Sequence, residues 1–142
     1  MIVQTLEGEN MSEFNFKSQV CTSREQSERL LALGLKKATA DCVWIEMSKD
    51  DWRIDANDWK EYYSIIEEGI APAWSLDRLM ELVPHRYGEY CDYANNYMYY
   101  YNIPLDVVKQ FVGETKYEYL IDGIEWLIKE GYFNKNYLEN GK

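Results

Sequence analysis

The stretch from Thr115 to Gly131 constrains this chain most. Thr115-x-x-Glu118 has the form of a capping box, in which a hydroxyl accepts from an orphan backbone N–H and the acid accepts from the cap's own N–H. Behind it, Tyr117, Leu120, Ile121, Ile124, Leu127 and Ile128 recur at the i, i+3, i+4, i+7 spacing of one helix face, and Gly131 supplies a left-handed stop. The spacing predicts a helix over about 116–130. A stripe of that length has to be covered, so the rest of the chain must supply a second layer.

Two more helices are signalled. Thr22-x-x-Glu25 and Ser23-x-x-Gln26 both fit a capping box, and Leu30, Leu31 and Leu33 precede a terminating Gly34, which predicts a helix over about 23–33. Arg24/Glu28 and Glu25/Arg29 lie four apart and are expected to pair on its exposed side. Ser75 caps a helix over about 75–83, where Leu76, Leu79, Met80 and Val83 share a face and Pro84 ends the run. Between these elements, Thr39-Ala40-Asp41 precedes Cys42-Val43-Trp44-Ile45, whose β-branched and aromatic content predicts a short strand. Residues 48–60 read as a polar loop with two tryptophans, and Tyr62 to Ile66 as a strand ending at Gly69. The tyrosine-rich segment after Pro84 reads as a hairpin with arms near 86–93 and 97–103, turning at Asn95-Asn96, which tolerate left-handed geometry. Pro104 is expected to open a short helical turn through Phe111, closed by Gly113. With residues 1–20 as an irregular arm, 21–142 is expected to form a single α+β domain with three helices and a small antiparallel sheet.

A chain of 142 residues with 46% hydrophobic residues fits one domain with its own core. Its 5 Trp, 13 Tyr and 4 Phe are too many for a disordered chain, even at a net charge of -10. Cys21, Cys42 and Cys91 are odd in number and widely spaced, so they form neither a disulfide framework nor a CxxC pair, and a reducing cytoplasm is the expectation. No apolar run reaches about 18 residues, and the first residues lack the basic and apolar regions of a signal peptide, so no membrane association is expected. Acidity concentrates in 41–68, where nine carboxylates face only Lys49, Arg53 and Lys60. Nucleic-acid binding needs a basic stripe, which makes direct DNA contact a poor fit.

The chemistry-bearing residues are few. His85 is the single histidine, so any Ser-His-Asp or Cys-His device must use it, with Cys91 or Glu89 as its nearest partners. Its bland role is to bond the last carbonyls of the preceding helix. A zinc site needs three or four ligands, and His85 with Glu89 supplies two. The acidic run SKDDWRIDAND fails the calcium-loop template, because Arg53 and Ala56 stand where a ligand and the glycine belong. The eight glycines are scattered singly, so no phosphate cradle exists. No catalytic residue, metal or cofactor is expected.

Alternation along a strand would set Tyr97, Tyr99 and Tyr101 on one face and Met98 and Tyr100 on the other, one set closing the core and the other partly exposed. On the last helix, Tyr119, Gly123 and Trp126 form a second face with a glycine notch between two aromatics. Either a sheet of the same domain packs there, or a partner does, a host protein or another copy of the chain.

Three stretches, TSREQSERLLALGLKKATADCVW, PAWSLDRLMELVP and LIDGIEWLIKEGYFNKNYL, resemble a group of small uncharacterised proteins encoded in prophages and mobile elements of gut bacteria. The resemblance implies a genomic setting and brings no catalytic residue. The leading expectation is a non-catalytic accessory protein acting through protein contacts. The alternatives are an acidic DNA mimic that blocks a host defence nuclease through the 41–68 segment, and a small hydrolase centred on His85.

Overall fold

The computed structural model describes residues 18–55 and 69–139. They form three helices, α1 (Arg24–Ala32), α2 (Leu76–Leu82) and α3 (Lys116–Glu130), and two antiparallel sheets. The first sheet holds β1 (Cys42–Ser48), β2 (Asp51–Asp55) and β3 (Ile70–Ala73) in the order β2-β1-β3. The second holds β4 (His85–Arg86), β5 (Glu89–Tyr93), β6 (Tyr97–Asn102) and β7 (Val107–Val112) in chain order. The fold is α+β, with two small sheets where one was expected. The expected strand over Tyr62–Ile66 and nearly all of the irregular arm lie outside the described residues.

Each helix begins where its cap predicts. At α1 the reciprocal capping box is Ser23 with Gln26, the hydroxyl accepting from Gln26 N and the amide oxygen accepting from Ser23 N. Ser75 accepts from Arg78 N at α2, Thr115 accepts from Glu118 N at α3, and Gly131 closes α3 at φ +82°. Leu120, Ile121, Ile124 and Leu127 are fully buried. The i, i+4 pairs expected along α1 give way to tertiary contacts. Arg29 reaches across to Asp122 and Glu125 of α3, and Arg24 lies 3.7 Å over the Trp52 ring.

Two segments take a different secondary structure from the one expected. Asp51–Asp55, expected to lie in a polar loop, is a strand paired with β1, with Trp44 opposite Ile54 and Glu46 opposite Trp52. Trp52 and Ile54 alternate with charged residues, which suits a strand with one covered face. The turn begun by Pro104 ends after one bond, Asp106 N to Ile103 O (3.1 Å), with Asp106 at φ +55°. Residues 107–112 then pair with β6 throughout its length. Val107, Val108, Phe111 and Val112 favour the pleated surface over a helical turn. The 86–103 hairpin forms as β5 and β6, although neither Asn95 nor Asn96 takes a positive φ.

Thr22 ties the first sheet to the main core. It is completely buried, and its backbone N–H donates to Trp74 O (2.8 Å) while its hydroxyl oxygen accepts from Trp74 N (3.0 Å) and shares a hydrogen bond with Ser27 Oγ (2.8 Å). Its carbonyl accepts from Trp44 Nε1 (3.0 Å). The near-isosteric Thr22→Val should therefore cost about 1–3 kcal/mol, because the Trp74 N–H and the Ser27 hydroxyl lose a buried partner. A urea melt with an unchanged slope checks this, since only the midpoint should fall.

Candidate functional site

The strand alternation of β6 divides the second sheet into two unlike faces. Met98, Tyr100 and Asn102 are buried, whereas Tyr97, Tyr99 and Tyr101 are half-buried on the other side. The inner face packs on α3, and there the second helix face identified in the sequence is accounted for. Tyr119 is fully buried, donating its hydroxyl to Ala94 O (2.9 Å), and a Cβ added at Gly123 would collide with Met98 Cε. Trp126 has ring centroids of Tyr100, Phe111 and Tyr132 at 5.5, 5.8 and 5.7 Å. The notch between Tyr119 and Trp126 thus receives Met98 of the sheet, with Tyr119 and Gly123 buried and Trp126 half-buried.

His85 lines an open cleft of about 490 Å³ with Glu81, Val83, Glu89, Tyr132 and Tyr137. Its Nδ1 lies 2.9 Å from Val83 O. A carbonyl only accepts, so the ring proton sits on Nδ1. This is the helix-end role expected for it, and His85 makes no hydrogen bond to a thiol or carboxylate among the described residues. Glu89 is held by three donors: Tyr100 OH (2.8 Å) and Asn102 Nδ2 (3.4 Å) on Oε2, and Arg86 Nη2 (3.2 Å) on Oε1. A carboxylate so occupied ties β4, β5 and β6 together. Cys91 packs against the main core, where burial, then the Glu89 charge, pushes its thiol up to about 12. It is protonated at neutral pH and is a poor nucleophile. The same holds for Cys21 and Cys42, raised by burial to about 12 and about 11. Among the described residues, no group of three or more His, Cys, Asp and Glu is placed to hold a metal ion, and no helix is long and apolar enough to cross a membrane.

The acidic segment divides by task. Asp41 bonds the backbone N and hydroxyl of Ser75, the cap of α2. Glu46, Asp50 and Asp51 gather at the β1–β2 turn, where Glu46 accepts from Asp50 N and Asp51 pairs with Arg53. Asp55 lies at the other end of β2, opposite Val43. The remaining carboxylates of the segment fall outside the described residues.

The outer face of the second sheet is aromatic and apolar. Register sets Tyr90 beside Tyr101, Asp92 beside Tyr99, and Val112, Gln110 and Val108 beside Tyr97, Tyr99 and Tyr101. The rings form a ladder, with centroids 5.3 Å apart for Tyr97–Tyr99, 5.9 Å for Tyr99–Tyr101 and 5.0 Å for Tyr101–Tyr90. Val108 and Val112 are 59% and 62% exposed. At one end, Tyr87, Ile103 and Leu105 are exposed on two turns joined by Ile103 N to Gly88 O (2.8 Å). The alternation of tyrosines was legible in the sequence; the contribution of Val108 and Val112 was not, because 104–111 read as a helical turn. No family model matches this chain, and neither a curated protein nor a solved structure shows significant similarity to it.

Proposed function

We propose that this protein acts by protein contact and without catalysis, as a cytoplasmic accessory protein of a phage or mobile element, with 21–142 working as a single domain. Its contact surface is the outer face of the β4–β7 sheet. The observation that carries this reading is a ladder of four tyrosines flanked by exposed valines and almost free of charge, on a chain of net charge -10. Tyrosine combines a large apolar body with a polar tip and is enriched where proteins meet. Among the described residues, a nucleic acid would find no basic residue there except His85.

The test presents the purified chain, and a Tyr99→Thr/Tyr101→Thr variant, to a bacterial lysate. A discrete protein partner should be retained by the parent and lost at least about tenfold by the variant, as for removal of aromatic hot spots, with the melting temperature moving by only a few degrees. Equal retention by both chains, or turnover of a metabolite by the parent, would overturn the reading.

A further inference from the structure

The β7 edge of the second sheet, unpaired among the described residues, carries a more specific conclusion. Ala94 N donates to Tyr97 O (2.9 Å) on one side of β6, and Gly113 N donates to Asn96 O (3.1 Å) on the other. Antiparallel strands alternate the direction of their backbone groups residue by residue. Tyr97, Tyr99 and Tyr101 therefore direct theirs toward β5, and Met98, Tyr100 and Asn102 toward β7. Their β7 partners Phe111, Lys109 and Val107 are satisfied by β6. Val108, Gln110 and Val112 aim N–H and C=O away from the sheet. β7 is the last strand in the order, and among the described residues no backbone bond meets those three on the outer side. Their side chains are exposed as well.

We propose that β7 pairs antiparallel with β7 of a second copy, joining two four-stranded sheets into one. The register follows from the backbone. Only residues whose groups face outward can form the new bonds, so even positions must lie opposite even positions. A two-fold axis at Lys109 would set the two ammonium groups opposite each other, an unfavourable pair, and would put Val112 against Asp106, which sits in a turn at φ +55°. An axis at Gln110 pairs the three outward residues with one another: Val108 with Val112 of the second copy, and Gln110 with its own counterpart, each pair exchanging two bonds. Lys109 then faces a phenylalanine. Lys109 is also the only charged residue in β7, so no like charges oppose each other within the strand pair, and Asp106 and Glu114 lie on the turns beyond its two ends. The two tyrosine faces would lie side by side in one plane. This inference rests on the contact-module reading in using the same sheet, and it names a second copy as one partner.

A six-residue strand pair buries less than the roughly 800 Å² per partner of a standard interface, so the association is expected to be weak and concentration-dependent. Sedimentation of the full chain between about 10 µM and about 1 mM should show a monomer passing to a dimer. Gln110→Pro removes an outward N–H without removing a bond to β6, a placement that edge strands tolerate. It should weaken the dimer at least about tenfold while the dilute chain melts within a few degrees of the parent. Amide exchange supplies the second readout: protection at Val108, Gln110 and Val112 should rise with concentration, whereas Val107, Lys109 and Phe111 are protected throughout. A monomer at about 1 mM, a dimer indifferent to Gln110→Pro, or exchange independent of concentration would each overturn the pairing; the last, with a monomer, is the outcome if the edge serves an extended peptide of another protein. Tyr99→Thr/Tyr101→Thr should leave the dimer intact, so failure of the outer-face reading and failure of the edge pairing are told apart.

Discussion

Trp74→Ala is expected to lower the stability of this protein by about 3–5 kcal/mol, the range for deleting a large buried aromatic. Trp74 is completely buried and stands between β3 and the cap of α2. Its indole Nε1 donates to Thr39 Oγ1 (2.9 Å), and Thr39 Oγ1 in turn donates to Lys36 O (2.6 Å). Its backbone exchanges two bonds with Thr22. The residue thus fastens the segment before α1, the turn before β1 and the start of α2 to one core. A protein of this size with total stability of about 5–15 kcal/mol would lose a large fraction of it, seen as a fall of roughly 10–20 °C in melting temperature. Trp74→Phe keeps most of the apolar volume and leaves the Thr39 hydroxyl without its donor, so it should fall between the parent and the alanine variant. A phenylalanine variant as unstable as alanine would mean that the indole hydrogen bond outweighs the packing.

The helices were legible because their ends are written locally. Ser23 with Gln26, Ser75, and Thr115 with Gly131 each satisfy orphan backbone groups within a few residues, and no distant partner is needed to read them. The alternation of Tyr97 to Asn102 was legible for the same reason. What escaped depends on partners far along the chain. Arg29 has acids at suitable helix spacing, yet it bonds Asp122 and Glu125, more than ninety residues away. Pro104 suits the first position of a helix and the second of a turn equally well, and only the register with β6 makes 107–112 a strand. The charges of Asp51–Asp55 suggested solvent, while the pairing of Trp44 with Ile54 reveals the covered face. The edge position of β7 could not be read at all without knowing which strand comes last in the sheet among the described residues. Tyr119, Gly123 and Trp126 share one helix face by spacing alone, whereas the strands that pack beside that face come from residues well before it in the chain and are not ordered by the sequence.

Alternate tyrosines of β6 serve opposite purposes, and thermal unfolding of Tyr100→Thr beside Tyr99→Thr tests that division most directly. Tyr100 is fully buried, stacked on Tyr132 (5.6 Å) and close to Trp126, with its hydroxyl donating to Glu89 Oε2 and accepting from Asn102 Nδ2 (2.9 Å). Burial and the bond to Glu89 hold its phenol well above the ordinary tyrosine range, so it stays a donor at neutral pH. Removing the ring leaves a cavity and takes a partner from a carboxylate and an amide, a loss of about 3–5 kcal/mol. Tyr99 touches Tyr97 and Tyr101 on the outer face, and threonine keeps the β preference there, so its loss should be about 1 kcal/mol. The predicted result is a fall of roughly 10–20 °C for Tyr100→Thr against a few degrees for Tyr99→Thr; equal falls in the two variants would show that both faces are core and would contradict the outer face as a contact surface.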